Sequence, residues 1–250
     1  MNRVLRLVTL AALTTPAPLM TACAGLDTGN AEVSTVQLAL SAAPSPILDS
    51  SGATFGVTAA RATVRHVDLY LPAGTDCTAV PGLVTGGGDY TVACDGDKIR
   101  ARGPWTIDLL TGVATPALPT VPVVAGTYRR VDVRFDPGAD DLTLVIEGAT
   151  TVSGASTPYR LALDFTDEIR FEGTTFVASP DVVAKALLVL DPATWFAQIP
   201  LTQCAADGDL ESEDGVLLIE DGKGACDKIE DQIVGAIGGS GRLEDEHDDD

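Results

Sequence analysis

The chain has 250 residues, with 36 Asp and Glu against 16 Lys and Arg, a net charge of −20 and only 5% aromatic residues. So acidic a chain lacks the positive footprint that displaces counterions from nucleic acid, which excludes that class of partner. The charge is also uneven: residues 203–250 hold 16 acids against Lys223, Lys228 and Arg242.

Arg3 and Arg6 precede an apolar run over residues 7–13, followed by small and turn-prone residues up to Cys23. The run is far shorter than the roughly 20 residues a membrane span needs, so residues 1–22 read as a secretory signal peptide. Met20, Thr21 and Ala22 in front of Cys23 resemble the bacterial lipoprotein box. That resemblance implies diacylglyceryl transfer to the Cys23 thiol, cleavage before it and acylation of the new amino group, with palmitate the expected chain. Cleavage there removes two basic residues and no acid, taking the charge from −20 to −22. Ala24 in place of Asp after the cysteine favours the outer membrane of the cell envelope. At about 0.8 kcal/mol per buried methylene, several acyl chains make a permanent anchor, so the membrane is an expected partner through Cys23.

Residues 23–32 are small and polar and read as a tether. From Val33 onward apolar and polar residues alternate, the mark of half-buried strands. Val36, Leu38 and Leu40 form one face of "VSTVQLALS". In "RHVDLYL" the apolar set is Val67, Leu69 and Leu71, with His66, Asp68 and Tyr70 opposite. "PWTIDLL" alternates Trp105, Ile107 and Leu109; "YRRVDVRF" sets Val131, Val133 and Phe135 against Arg130, Asp132 and Arg134. "LTLVIEG", "YRLALDF", "IRFEGTTFV" and "VVAKALLVLD" supply further segments, punctuated by Pro and Gly clusters. The pattern predicts a mainly β fold, an antiparallel β-sandwich of about 7–9 strands, over residues 33–200. No βαβ spacing appears, which argues against parallel pairing. Residues 75–97 are polar and glycine-rich and read as a long loop or excursion hairpin.

Residues 201–240 read as a stapled acidic loop and a short helix. In "CDKIEDQIVGAI" Ile229, Ile233 and Ile237 recur every fourth residue, Asp227 and Glu230 form a capping box, and Gly238–Gly239 ends the helix. Residues 241–250 are a charge run, expected to be disordered. Cys77, Cys94, Cys204 and Cys226 in an exported chain read as two disulfides with three connectivities. Proximity favours Cys77–Cys94 and Cys204–Cys226, each closing a loop worth about 3 kcal/mol in the chain-entropy model. Zinc does not fit, since no C-x-x-C occurs and His66 and His247 are the only histidines.

The stretch from "WTIDLLTGVATPALPTVPVVAGTYRRVDVRF" to "ALLVLDPATWF" resembles an uncharacterised domain family of secreted bacterial lipoproteins. The resemblance rests on Asp108–Leu110, Leu118–Pro119, Gly126–Tyr128 and Leu187–Asp191 and covers residues 33–200. It implies a β-sandwich of transthyretin or carboxypeptidase-regulatory type at the cell surface, and no activity. In "AGTY", Gly126 suits a tight turn and Tyr128 suits a tyrosine corner, its hydroxyl bonding nearby backbone.

Chemistry is sparse. No G-x-S-x-G accompanies a histidine base, and few aromatics line up for a sugar-cleaving groove. Calcium is the cofactor with a candidate site: Asp207, Asp209, Glu211, Glu213 and Asp214 offer oxygens at close spacing, though Asp214 stands where an EF-hand needs Gly and Gly215 is one residue late. Arg129, Arg130 and Arg134 cluster on or beside one strand and suit cross-strand pairing with Asp164 or Glu172, or an anionic ligand. The expectation is therefore a non-enzymatic, lipid-anchored envelope protein that recognises a protein or glycan. A calcium-dependent binding module is the alternative, and an envelope hydrolase the second alternative.

Overall fold

Alternation in the sequence is realised as strands. The computed structural model describes residues 32–43, 45–77, 85–87 and 90–245. In β1 (Val33–Ala42) Val36, Leu38 and Leu40 are buried while Gln37 is exposed. After β2 (Ile47–Leu48) comes β3 (Thr54–Tyr70), 17 residues long, whose length gives it three major neighbours. On one side it pairs with β6 (Lys98–Asp108). On the other it pairs first with β10 (Leu144–Val152) through residues 56–62, then with β9 (Gly126–Phe135) through residues 64–69. The exchange coincides with a bulge between Val64 and His66 that interrupts both the β6 and the β9 ladder. Bulges of this kind increase twist and re-aim the side chains beside them.

Residues 75–97, read as a loop, carry β4 (Thr85–Gly87) and β5 (Tyr90–Asp95), a hairpin whose second strand pairs with β6. Cys77 is bonded to Cys94 at its base. Next come β7 (Ala114–Thr115) and β8 (Thr120–Val124). The remaining long strands are β11 (Ala155–Leu163), β12 (Asp167–Ala178) and β13 (Val183–Leu190). Gly126 opens β9 at φ 153°, and a Cβ there would come 2.7 Å from the Pro72 ring, so only glycine fits the turn. Two residues on, the buried Tyr128 hydroxyl donates to the Val124 carbonyl at 2.9 Å, the corner its motif predicts.

The acidic C-terminal region is more structured than its composition suggests. It holds α1 (Leu201–Asp207), β14 (Ser212–Glu213), β15 (Val216–Ile219), α2 (Ile229–Gly238) and β16 (Gly241–Asp245). Cys204 on α1 is bonded to Cys226. Helix α2 buries Ile229, Ile233 and Ile237 as the spacing predicts. Its cap differs: Asp227 is extended, Lys228 takes a left-handed conformation as N-cap, and Asp221 accepts from the Glu230 amide at 3.0 Å.

Within the described residues the main path of the sheet runs β14-β15-β11-β10-β3-β9-β12-β16-β13-β1-β8, with β6, β5, β4 and β7 branching from β3. Two expectations are corrected. The described residues hold sixteen strand segments rather than 7–9, because segments as short as β2, β7 and β14, at 2 residues each, carry no alternation to read. The sheet is mixed rather than antiparallel: β1 runs parallel to β13, β11 to β15, and β12 to β16. These parallel pairs join remote parts of the chain and need no βαβ crossover. Residues 241–245, expected to be part of a disordered tail, form β16 because Leu243 has a place in the core, at 1% exposed. Strands β15 and β16 join the same sheet as residues 33–200, so no structural break falls at residue 200. The expected signal peptide and most of the expected tether, including Cys23, lie outside the described residues, as do residues 246–250.

Candidate functional site: a basic face on an acidic chain

Strand register assembles the site. The pairings place Thr91, Arg102, His66, Arg134 and Glu168 in one row across β5, β6, β3, β9 and β12. Two residues along each strand, the next row is Ala93, Arg100, Asp68, Asp132 and Arg170. Period-two geometry puts both rows on one face of the sheet. Ile99 and Ala101, between the basic residues of β6, are fully buried on the other face.

Two aspartates, 0% and 1% exposed, lie side by side at the centre: Asp68 and Asp132. Buried carboxylates persist only when they are paired and hydrogen-bonded. Asp68 accepts from Lys98 Nζ at 2.6 Å and from Arg100 Nε and Nη2 at 2.6 Å each, a bidentate fork. Asp132 accepts from Arg130 Nε at 2.8 Å and from the same guanidinium's Nη2, with Arg170 Nε 3.9 Å away. The Arg130 guanidinium lies 4.0 Å over the Tyr70 ring and donates to its hydroxyl at 3.3 Å. Burial raises the Asp68 carboxyl, but hydrogen bonds from Arg100 and Lys98 outweigh it and hold the group below the usual carboxylate range. Asp68 in turn raises Arg100, and it raises Lys98 despite the burial that pulls the ammonium down.

His66 sits directly between Arg102 and Arg134. Its Nε2 is buried without a hydrogen-bond partner, 3.7 Å from Glu168 and 3.9 Å from Asp68. Burial lowers its pKa, and the Arg100 charge adds to that against the pull of Asp68 and Glu168, so the ring is neutral at neutral pH. No ion pair to Arg102 or Arg134 is found among the described residues. Arg65, at the bulge, comes within 4.0 Å of Asp136 and has a side chain 61% exposed. Arg65, His66, Thr91, Arg100, Arg102 and Gly103 line a concavity of about 390 Å³.

The arrangement suits an anion better than a cation. His66, Asp68 and Glu168 offer three ligand atoms within 4.8 Å of one another. A metal there would have to displace Lys98 and Arg100 from Asp68 and enter a ring of guanidinium groups. The second such group, Asp76, Cys77 and Cys94, has its sulfurs in a disulfide and offers no thiolate.

Other predicted positions are dispersed. The proposed calcium ligands do not form a cluster: Asp207 ends α1 and accepts from Gln203 at 2.8 Å, whereas Asp214 and Gly215, at φ 53° and 80°, make the turn between β14 and β15. Glu211, Glu213 and Asp214 are exposed, and Asp209 is half-buried. Arg130, expected to pair with Asp164 or Glu172, pairs with Asp132 on its own strand; Arg170 lies nearest Glu172, at 3.8 Å. Lys98, Arg100 and Arg102 are site residues that the sequence reading misses. The "KIRAR" alternation that sets them on one face is plain in the sequence, but it adjoins a glycine-rich stretch that reads as loop.

No family model matches the chain, and no curated protein matches it significantly. Among solved structures, MbnP from Methylosinus trichosporium is similar at 14% identity over 79% of this chain and 83% of that one, with a TM-score of 0.35. A likeness that remote carries no argument about what the chain binds.

Proposed function

We propose that the protein is a non-enzymatic recognition module of the bacterial envelope, anchored by lipid at Cys23, that binds an anionic envelope ligand through the basic face of β6, β3 and β9. The observation that carries this reading is the row Arg102–His66–Arg134, whose two guanidinium groups make no ion pair among the described residues on a chain of net charge −20. Leaving guanidinium groups unpaired on so acidic a chain forgoes the nearest source of stabilisation and keeps their donors open to carboxylate, phosphate or sulfate. The non-enzymatic part is supported by Asp68 and Asp132, which are locked in guanidinium forks rather than poised as acid or base. The anchor is supported by the "MTAC" box. The finer fold reading, a sandwich akin to that lipoprotein domain family, is supported by β3, which changes partner at its bulge and so feeds two halves of the sheet.

Equilibrium binding of dextran sulfate and neutral dextran to the full chain tests the site. The sulfated polymer alone should bind, more weakly as salt rises from about 0.02 to 0.3 M. Arg102→Ala with Arg134→Ala should weaken it about tenfold or more. Equal binding of the neutral polymer, or a double variant that binds like the parent, would sink the reading. Mass spectrometry of membrane-extracted protein tests the anchor, which predicts an acylated cysteine at position 23 as the first residue.

A further inference from the structure

At a separate place, the end of β1, the turn into β3 and the 3₁₀ turn at Pro192–Thr194 enclose a cavity of about 370 Å³. Its floor is built from Ile47, Phe55, Ile146 and Trp195, each at most 2% exposed. Trp195 is held in place, its indole N–H donating to Ser240 Oγ at 3.0 Å. Ser45 and Thr54 supply the only side-chain hydroxyls of the lining, and none of its described residues is charged. On a chain where acids outnumber bases 36 to 16, an uncharged lining of this size is a selective feature. A second concavity of about 480 Å³ shares Ala60 and Leu110 with the first, but Arg61, Asp108 and Glu147 make its lining charged. Ile146 lines the first and its neighbours Val145 and Glu147 the second, so the two lie on opposite faces of the sheet and only the first is uncharged. Leu110, 49% exposed, stands at their junction, and an exposed leucine there offers apolar surface to whatever crosses it.

We propose that the first cavity binds a neutral amphiphile, with a single hydrocarbon or aromatic portion against Phe55 and Trp195 and a hydroxyl- or amide-bearing head beside Ser45 and Thr54. Its volume lies in the range of small-molecule sites, and its apolar lining with a few polar groups at one end is the usual construction of such sites. The charge of the lining decides the class. A cationic or anionic head cannot enter this uncharged lining without losing its hydration unpaired, so the head it accepts is neutral. This site is independent of the basic face, which lies over β6, β3 and β9 and depends on salt.

The test uses the full chain and a decanol carrying a terminal diazirine, with the labelled peptides mapped after irradiation. Label should appear within residues 42–60, at Leu110 or within residues 192–195, compete with unlabelled decanol and be indifferent to salt. Ala60→Phe fills the cavity from its 7% exposed floor and should cut labelling at least about tenfold. Leu110→Asp, on the exposed rim where folding is not at stake, should also weaken it. Labelling spread over the surface, labelling unchanged in both variants, or competition by decanoate as effective as by decanol would overturn the proposal.

Discussion

Asp68 is fully buried and holds two cations that are themselves only 17% exposed. Removing one partner of such a group strands the others, so Asp68→Asn should destabilise the fold by about 3 kcal/mol in urea titration, and an unchanged midpoint would refute the pairing. Its pH signature has a fixed sign. The folded carboxyl titrates below its unfolded value near 3.9, so its stabilisation is complete above that value and is lost as pH falls through the lower folded one. His66 acts earlier on the same limb. Its folded pKa is depressed below about 6.5, so the unfolded chain takes up its proton first and stability declines as pH drops below that value. His66→Gln should flatten the melting temperature between about pH 6.5 and 5, and a slope equal to the parent's would exclude the role. The sequence announced His66, Asp68, Arg130 and Arg134 as outward residues of two strands. What it could not announce was that the two strands are neighbours in a register that abuts Asp68 with Asp132.

At the scale of elements, the first helix depends on a residue about 150 positions away. Helix α1 follows Pro200 at its N-cap, which offers no side-chain cap. Asp49 supplies one, accepting from the Thr202 amide at 2.9 Å and the Thr202 hydroxyl at 2.7 Å. Its other oxygen takes the Ser51 amide and hydroxyl and the Ala53 amide, so one carboxylate ties the β2–β3 turn to the helix. Burial works against that charge, yet the hydrogen bonds win and keep it ionised. Asp49→Ala should cost about 2 kcal/mol and raise amide exchange across residues 201–207. Loss of stability without faster exchange there would place the role elsewhere. Helix α1 spans 7 residues, too few for a period of 3.6 to declare itself, whereas α2 was legible from three isoleucines. The β14–β15 hairpin had a strong local signal in Asp214–Gly215, since a two-residue turn of that kind favours Asp-Gly. Its acids suggested ligands, and the same acids turn out to be the exposed residues of a hairpin.

Over the whole molecule, which strands meet is decided by distant segments, and that information is absent from local alternation. β16 shows it best. Among acids and a histidine, one leucine marks it as a strand, and Leu243 is 1% exposed in the core. Leu243→Ala should cost about 2–5 kcal/mol, whereas Glu244→Ala, one residue on and exposed, should change stability by less than about 0.5 kcal/mol. Equal effects would mean that the strand is not seated. The overall charge behaves likewise: the composition shows an excess of acids, and only register reveals that the bases converge on one face.

β16 lies between β12 and β13 and bonds to both. The strand that completes this part of the sheet is thus the last of the described ones, while its neighbour β13 also pairs with β1, the first. A chain threaded out residue by residue cannot close this ladder until position 245 has been delivered. The export that the proposed envelope role entails needs an unfolded passenger, and this topology favours it, because the ladder between β12 and β13 stays open until the last described strand arrives.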